Sequence, residues 1–185
     1  MKIRLYSLLF VLIPVIGNSQ DLAVHIFGET NINCFECNYD KNKEHQNFND
    51  VLLRYPQIQG QTIETYIPIS EFECSNSIMY NDFQKLLKAY EYPYIKIEID
   101  PSQIKKILPY KSSVNINVSI TIANVTNEQP ITCSVNNYGN SDVSITGQAT
   151  INLVDFRIKP PVKFMGLVKV KDEVTISFSF NFIVA

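Results

Sequence analysis

The segment Val174-Thr-Ile-Ser-Phe-Ser-Phe-Asn-Phe-Ile-Val184 alternates apolar and polar side chains at almost every step. Successive side chains on a strand point to opposite faces. Val174, Ile176, Phe178, Phe180, Phe182 and Val184 therefore share one dry face. Thr175, Ser177, Ser179 and Asn181 share the other, which stays polar until Ile183. Wound as a helix, the same residues would spread around the whole circumference. The segment reads as a strand with one face in a core, as in an antiparallel sheet or barrel.

The same period recurs upstream. Leu22, Val24 and Ile26 alternate with Ala23, His25 and Phe27, and a turn or bulge follows at Gly28 to Asn31. Asn31 to Tyr39 reads as a second strand, with Phe35 and Cys37 on one face. Residues 40–50 form a polar loop, and 51–60 read as a short extended piece. Ile63, Thr65, Ile67 and Ile69 mark a strand that runs on to Phe72 and Cys74, with Pro68 suggesting an edge. Ile95, Ile97 and Ile99 mark another. Val114 to Ile122 is a long one-sided strand, with a hairpin turn expected at Asn127-Glu128. Ile131, Cys133 and Val135 return on the dry face. After a turn around Gly139-Asn140, Val143 to Leu153 is again one-sided. Gly147 and Ala149 leave room there for a bend or a bulky neighbour. A loop at Pro160-Pro161, a short strand from Lys163 to Val170 and a turn at Lys171-Asp172 complete the chain.

One helix stands out. Met79, Phe83, Leu86, Leu87 and Tyr90 recur at helical spacing, Asn81 and Gln84 resemble a capping box, and Pro93 stops the run. A single amphipathic helix cannot form a layer, so it is expected to plug a sheet end or cover a barrel mouth. With no repeat, linker or composition shift, residues 20–185 read as one all-β antiparallel domain of about eight to ten strands. Long one-sided strands favour a barrel, because closure removes exposed edges.

Residues 1–19 are read as a cleavable signal peptide: a basic start at Lys2 and Arg4, an apolar run from Leu5 to Ile16, and the small-residue end Gly17-Asn18-Ser19. The apolar run is short for a membrane span. Cleavage before Gln20 takes the formal charge from −2 to −4, so the expected product is periplasmic or secreted, mildly acidic, and without a field that draws nucleic acid. In that compartment the four cysteines suggest disulfides. Phe35/Cys37 and Phe72/Cys74 share a pattern, each Cys ending an apolar pair on its strand, which predicts Cys37–Cys74. Cys34–Cys133 follows by elimination, although Cys34 faces away from Cys37 unless a bulge intervenes.

Catalytic parts are few. His25 lies in a strand and His45 in a loop, and neither accompanies a nucleophile motif. Cys34-Phe-Glu-Cys37 is a C-x-x-C, but it sits in a strand rather than at a helix start, and the second pair that a zinc site needs is missing. Neither a catalytic role nor a metal is expected. The asset that remains is the dry face. Ile95, Ile97, Val118, Ile120, Ile122, Ile145, Phe178, Phe180 and Phe182 should point inwards, either filling the interior or lining one apolar pocket.

The order of parts resembles the YceI family of lipocalin-like exported proteins. The matching features are Gly28-Glu-Thr-Asn31 followed by Phe35-Glu-Cys37, then Phe83-Gln-Lys-Leu-Leu-Lys-Ala-Tyr90 with Tyr92-Pro-Tyr-Ile95. The ending also matches, from Asp155-Phe-Arg-Ile-Lys-Pro-Pro161 to Val174-Thr-Ile-Ser-Phe-Ser-Phe180. The resemblance implies a lipocalin-like barrel capped by a helix, whose channel takes an isoprenoid, a quinone or a similar long apolar lipid. It supplies no motif for individual ligand contacts. The first expectation is thus a non-catalytic lipid carrier with no membrane-spanning segment, assembled as a homodimer. The alternative is a structural or interaction module with a filled core and working surface loops. A hydrolase or redox enzyme is the third and weakest.

Overall fold

The computed structural model describes residues 21–40, 62–100, 102–103, 113–137, 142–163 and 167–183. The expected leader at 1–19, most of the polar loop with His45, the stretch 51–60 and the turn at Gly139-Asn140 lie outside them. The elements among these residues follow in the order β1 (Asp21–Thr30), β2 (Cys34–Asp40), β3 (Ile63–Pro68), β4 (Glu73–Cys74), α1 (Ser77–Leu86), β5 (Tyr94–Ile99), β6 (Val114–Ile122), β7 (Val125–Asn137), β8 (Asp142–Asn152), β9 (Val162–Lys163) and β10 (Val168–Ile183). Among the described residues every strand pair is antiparallel.

The hydrogen-bonded path runs β3-β5-β6-β7-β8-β10-β1-β2-β4, with β9 beside β10. Laid flat, nine strands would hold β3 and β4 about 38 Å apart, at ~4.8 Å per step. Yet only a 3₁₀ turn, Ile69–Glu71, and Phe72 separate Pro68 from Glu73, and five residues reach at most about 17 Å. The sheet must therefore curl until its two ends meet. The result is a half-barrel whose gap is bridged by a covalent corner rather than by a ladder of hydrogen bonds.

The register stacks the inward residues in layers. One layer runs Val114, Cys133, Gly147, Phe178, Val24, Tyr39, each opposite the next. A neighbouring layer runs Val135, Ile145, Phe180, Leu22. The ring of Phe178 takes the room that Gly147 leaves, and Phe35 does the same over Gly28. A β-carbon at either position would overlap the ring tip, so the ring would have to shift.

α1 closes one end. Phe83 packs on Phe72 at 5.2 Å between ring centres, Phe72 on Tyr39 at 5.6 Å, and Gln84 donates from Nε2 to the Ile69 carbonyl at 2.6 Å. The helix begins earlier than expected. Asn76 is its cap, accepting from the Met79 amide at 2.9 Å, and Asn81 lies exposed inside it. The side chain of Gln84, spent on the corner, forms no capping box. Tyr90 falls beyond the helix and is fully exposed.

Three other expectations change. The β6–β7 turn is Ala123-Asn124, at φ 48° and 63°, and Asn127 and Glu128 lie within β7. Two successive positive φ angles make the tight hairpin that follows the strand twist. The strand at Ile63 does not run through to Cys74 but breaks at the Ile69–Glu71 corner. Lys171 and Asp172 do not turn. They belong to a continuous β10, where Lys171 pairs with Glu29 and a register shift between Gly28 and Thr30 absorbs the mismatch. Just above it, Asn31 clips the β1–β2 turn to β10. Its Nδ2 donates to the Leu167 carbonyl at 2.9 Å and its Oδ1 accepts from the Lys169 amide at 2.8 Å.

The lumen as candidate functional site

Alternation along each strand sends one set of side chains into the half-barrel. At the helix end this set is buried: Ile67, Ile95, Ile122, Ile151 and Val174 join Phe72 and Phe83 in one apolar cluster. At the opposite end, where β1 starts and β10 finishes, the inward Leu22, Ile97, Ile99, Val114, Ile145, Phe178 and Phe180 are only partly buried. The interior thus grades from a packed core under α1 to apolar walls within reach of solvent.

The expected pocket residues differ in burial, even between partners at one level of the sheet. Ile95, Val118, Ile120 and Ile122 are buried, while Ile97, Ile145, Phe178 and Phe180 are partly buried. Ile97 faces Ile120 across β5 and β6, and Ile145 faces Phe180 across β8 and β10. Phe182 stands opposite Val143 in β10, on the same parity as Phe178 and Phe180.

Gln129 continues the inward parity of Ile131, Cys133 and Val135, lies opposite Val118, and is buried. Its neighbour on that face, Asn127, donates from Nδ2 to the Asp155 carbonyl at 2.7 Å. Both amides were legible by counting back by twos from Ile131. The expected turn at Asn127-Glu128 took them off the strand instead.

Cys37 and Cys74 form a disulfide between directly opposite residues of β2 and β4, with Cα atoms 4.0 Å apart. The pairing of Cys34 with Cys133 does not occur. Cys34 is exposed on the outer side of β2, whereas Cys133 is buried inside on β7. An unbulged strand holds Cys34 on the face away from Cys37, so elimination had no geometric support. Burial pushes the Cys133 thiol up to about 11. Tyr39 is pushed up to about 12, first by burial and then by the negative charges of Glu71 and Asp40.

Outside the lumen, His25 is exposed, with Nε2 3.9 Å from a Glu36 carboxylate oxygen. Lys96 binds Glu64 at 3.1 Å and Glu98 at 3.0 Å, and Tyr66 donates to Glu64 at 2.9 Å. This network coats the outer face of β3 and β5, and charge on an edge strand discourages pairing with another sheet. Among the described residues no cluster of three or more His, Cys, Asp or Glu side chains could hold a metal, and no helix is long and apolar enough to cross a membrane.

The profile of the YceI-like domain matches residues 35–182. No curated protein matches the sequence. Among solved structures, a polyisoprenoid-binding domain from Saccharophagus degradans, implicated in plant cell wall breakdown, superposes with a TM-score of 0.61 at 8% identity. That alignment covers 91% of this chain and 100% of the other. BcnA of Burkholderia cenocepacia gives 0.55 at 14% identity, covering 86% and 95%. The YceI protein of Campylobacter jejuni gives 0.50 at 14%, covering 78% and 95%. At these identities the likeness is one of fold.

Proposed function

The chain belongs to the YceI-like domain family, and from that membership we propose that it is an exported, non-catalytic carrier of an isoprenoid or similarly long apolar lipid held in its lumen. The observation that carries the proposal is the unfinished burial of Phe178, Phe180, Ile145 and Ile97 at the end remote from α1. These side chains point inwards, as core residues do, but stay partly in contact with water. Covering such surface with an alkyl or prenyl tail contributes about 25 cal/mol per Å² before the costs of association. The walls branch at Cβ or carry rings, so they offer rigid contact. Deeper in, Gln129 has a donor and an acceptor for the polar end of a quinone or an alcohol.

Export is supported by two features. Residues 1–19 have the composition of a signal peptide, and the Cys37–Cys74 bridge suits an oxidising compartment. The same proposal has the protein act as a homodimer.

The test is an unbiased lipid extract of natively purified protein, with native mass spectrometry alongside. A bound apolar compound is expected, and the intact mass reads the assembly directly. A bare polypeptide that also fails to take up a prenyl quinone overturns the carrier role.

A further inference from the structure

At the capped end, outside the lumen, a groove of about 510 Å³ lies between the end of α1, the β6–β7 turn and the segment that follows the 3₁₀ turn Leu153–Phe156. Four cations line it: Lys85, Lys88, Arg157 and Lys159. Phe156 and Ile158 line it too and are almost wholly buried, so they serve as an apolar floor beneath charged walls. Among the described residues no carboxylate lines the groove and none forms an ion pair with any of the four cations. The whole chain carries a net charge of −2, so this concentration of positive charge is a local departure.

Ordinary structural roles explain only part of it. Lysines near a helix C-terminus offset its dipole, which accounts for Lys85 and Lys88 but not for Arg157 and Lys159, which come from another segment. The backbone adds a second observation. Among the described residues, those other than glycine with positive φ are Lys88, Ala123, Asn124 and Arg157, and all four line this groove. The hairpin and the two turn ends require left-handed φ. They do not require a lysine or an arginine, and glycine or asparagine would sit there with less strain. Long cations at strained positions on one concave surface are what an anion site would retain.

We infer that this groove binds a phosphate-type oxyanion, with Arg157 and Lys88 as its principal contacts and Lys85 and Lys159 completing the charge. Guanidinium and ammonium groups suit phosphate oxygens, and the concave shape suits a small molecule rather than a flat surface. The inference does not depend on what the lumen holds.

The test is calorimetric titration of the full mature chain at low ionic strength with two probes, inorganic phosphate and n-hexyl phosphate. The wild type binds at least one, and added salt weakens that binding. Lys88→Gly/Arg157→Gly weakens it tenfold or more. Glycine relaxes both left-handed positions, so the thermal midpoint of this variant does not fall, which separates lost binding from lost fold. Lys169→Gln/Lys171→Gln removes the same net charge from β10 and leaves the affinity unchanged. Tighter binding of hexyl phosphate assigns an organic phosphate whose tail lies on Phe156 and Ile158, and equal binding assigns the free anion. The inference fails if neither probe binds, or if the two double variants weaken binding equally.

Discussion

The ring of Phe178 occupies the space directly above Gly147, its partner across β10 and β8, so closely that a β-carbon on Gly147 would overlap it. Gly147→Ala should therefore cost about 1–3 kcal/mol by overpacking, read as a lower urea midpoint at unchanged slope. Phe178→Ala separates the two readings of the lumen. A filled core would lose about 3–5 kcal/mol, whereas a ligand wall loses less stability and gives up its lipid. The partial burial of Phe178 favours the second outcome. In the double variant the alanine methyl no longer meets a ring, so the combined loss should be smaller than the sum.

The Cys37–Cys74 bridge spans a sequence separation of 37 residues and fastens β4, the last strand of the path, to β2. Replacing both cysteines by alanine should lower stability by on the order of 3–4 kcal/mol. Denaturation curves with and without reductant measure it. Superimposable curves would show that the bridge does not hold the corner.

The two remaining thiols should differ sharply. Cys34 is exposed and Cys133 is buried, so a thiol reagent at pH 8 should titrate one group in the native protein and two after unfolding. Two fast-reacting native thiols would contradict the placement of Cys133.

Alkaline stability follows from the same burial. The neutral Cys133 thiol is favoured in the fold, its pKa rising from an ordinary 9.0 to about 11. Tyr39 likewise rises from 10.0 to about 12. Between each pair of values the folded state holds a proton that the unfolded chain has released. Stability is therefore fully present below pH 9 and falls as pH rises through the window to about 12. Urea midpoints in Cys133→Ala should keep the upper part of this decline and lose the lower part.

The cap of α1 gives a local test. Asn76→Ala removes the acceptor for the Met79 amide and should cost about 1 kcal/mol. Asn81→Ala, on the exposed side of the helix, should cost nothing or stabilise slightly. Equal losses at the two positions would mean that the helix starts elsewhere.

Strand identity and inward parity were legible because burial of one face leaves a period of two that little else produces. β6, β8 and β10 could each be read directly, and so could the bridge at Cys37. Boundaries set by single interactions were harder to see. Ala123-Asn124 lacks the glycine that usually marks a two-residue hairpin, and the more polar Asn127-Glu128 looks like the turn instead. Gln84 has the right spacing for a capping box, yet its amide is used on the Ile69 carbonyl, a contact distant in sequence. The corner at Ile69–Glu71 looks like more strand, because only closure of the sheet demands the break. The basic groove was invisible for the same reason: Lys85, Lys88, Arg157 and Lys159 meet through the fold, not through any local motif.

Asp21 in β1 pairs with Asn181 in β10, so the two ends of the described chain are hydrogen-bonded neighbours in the middle of the sheet path. During synthesis β1 must wait, half-paired, for β10. Closure is then delayed until β10 has been made, and contacts this distant in sequence make it slow. A nascent chain that stays open so long remains threadable, a useful property for any protein that must pass through a narrow pore before it takes its shape.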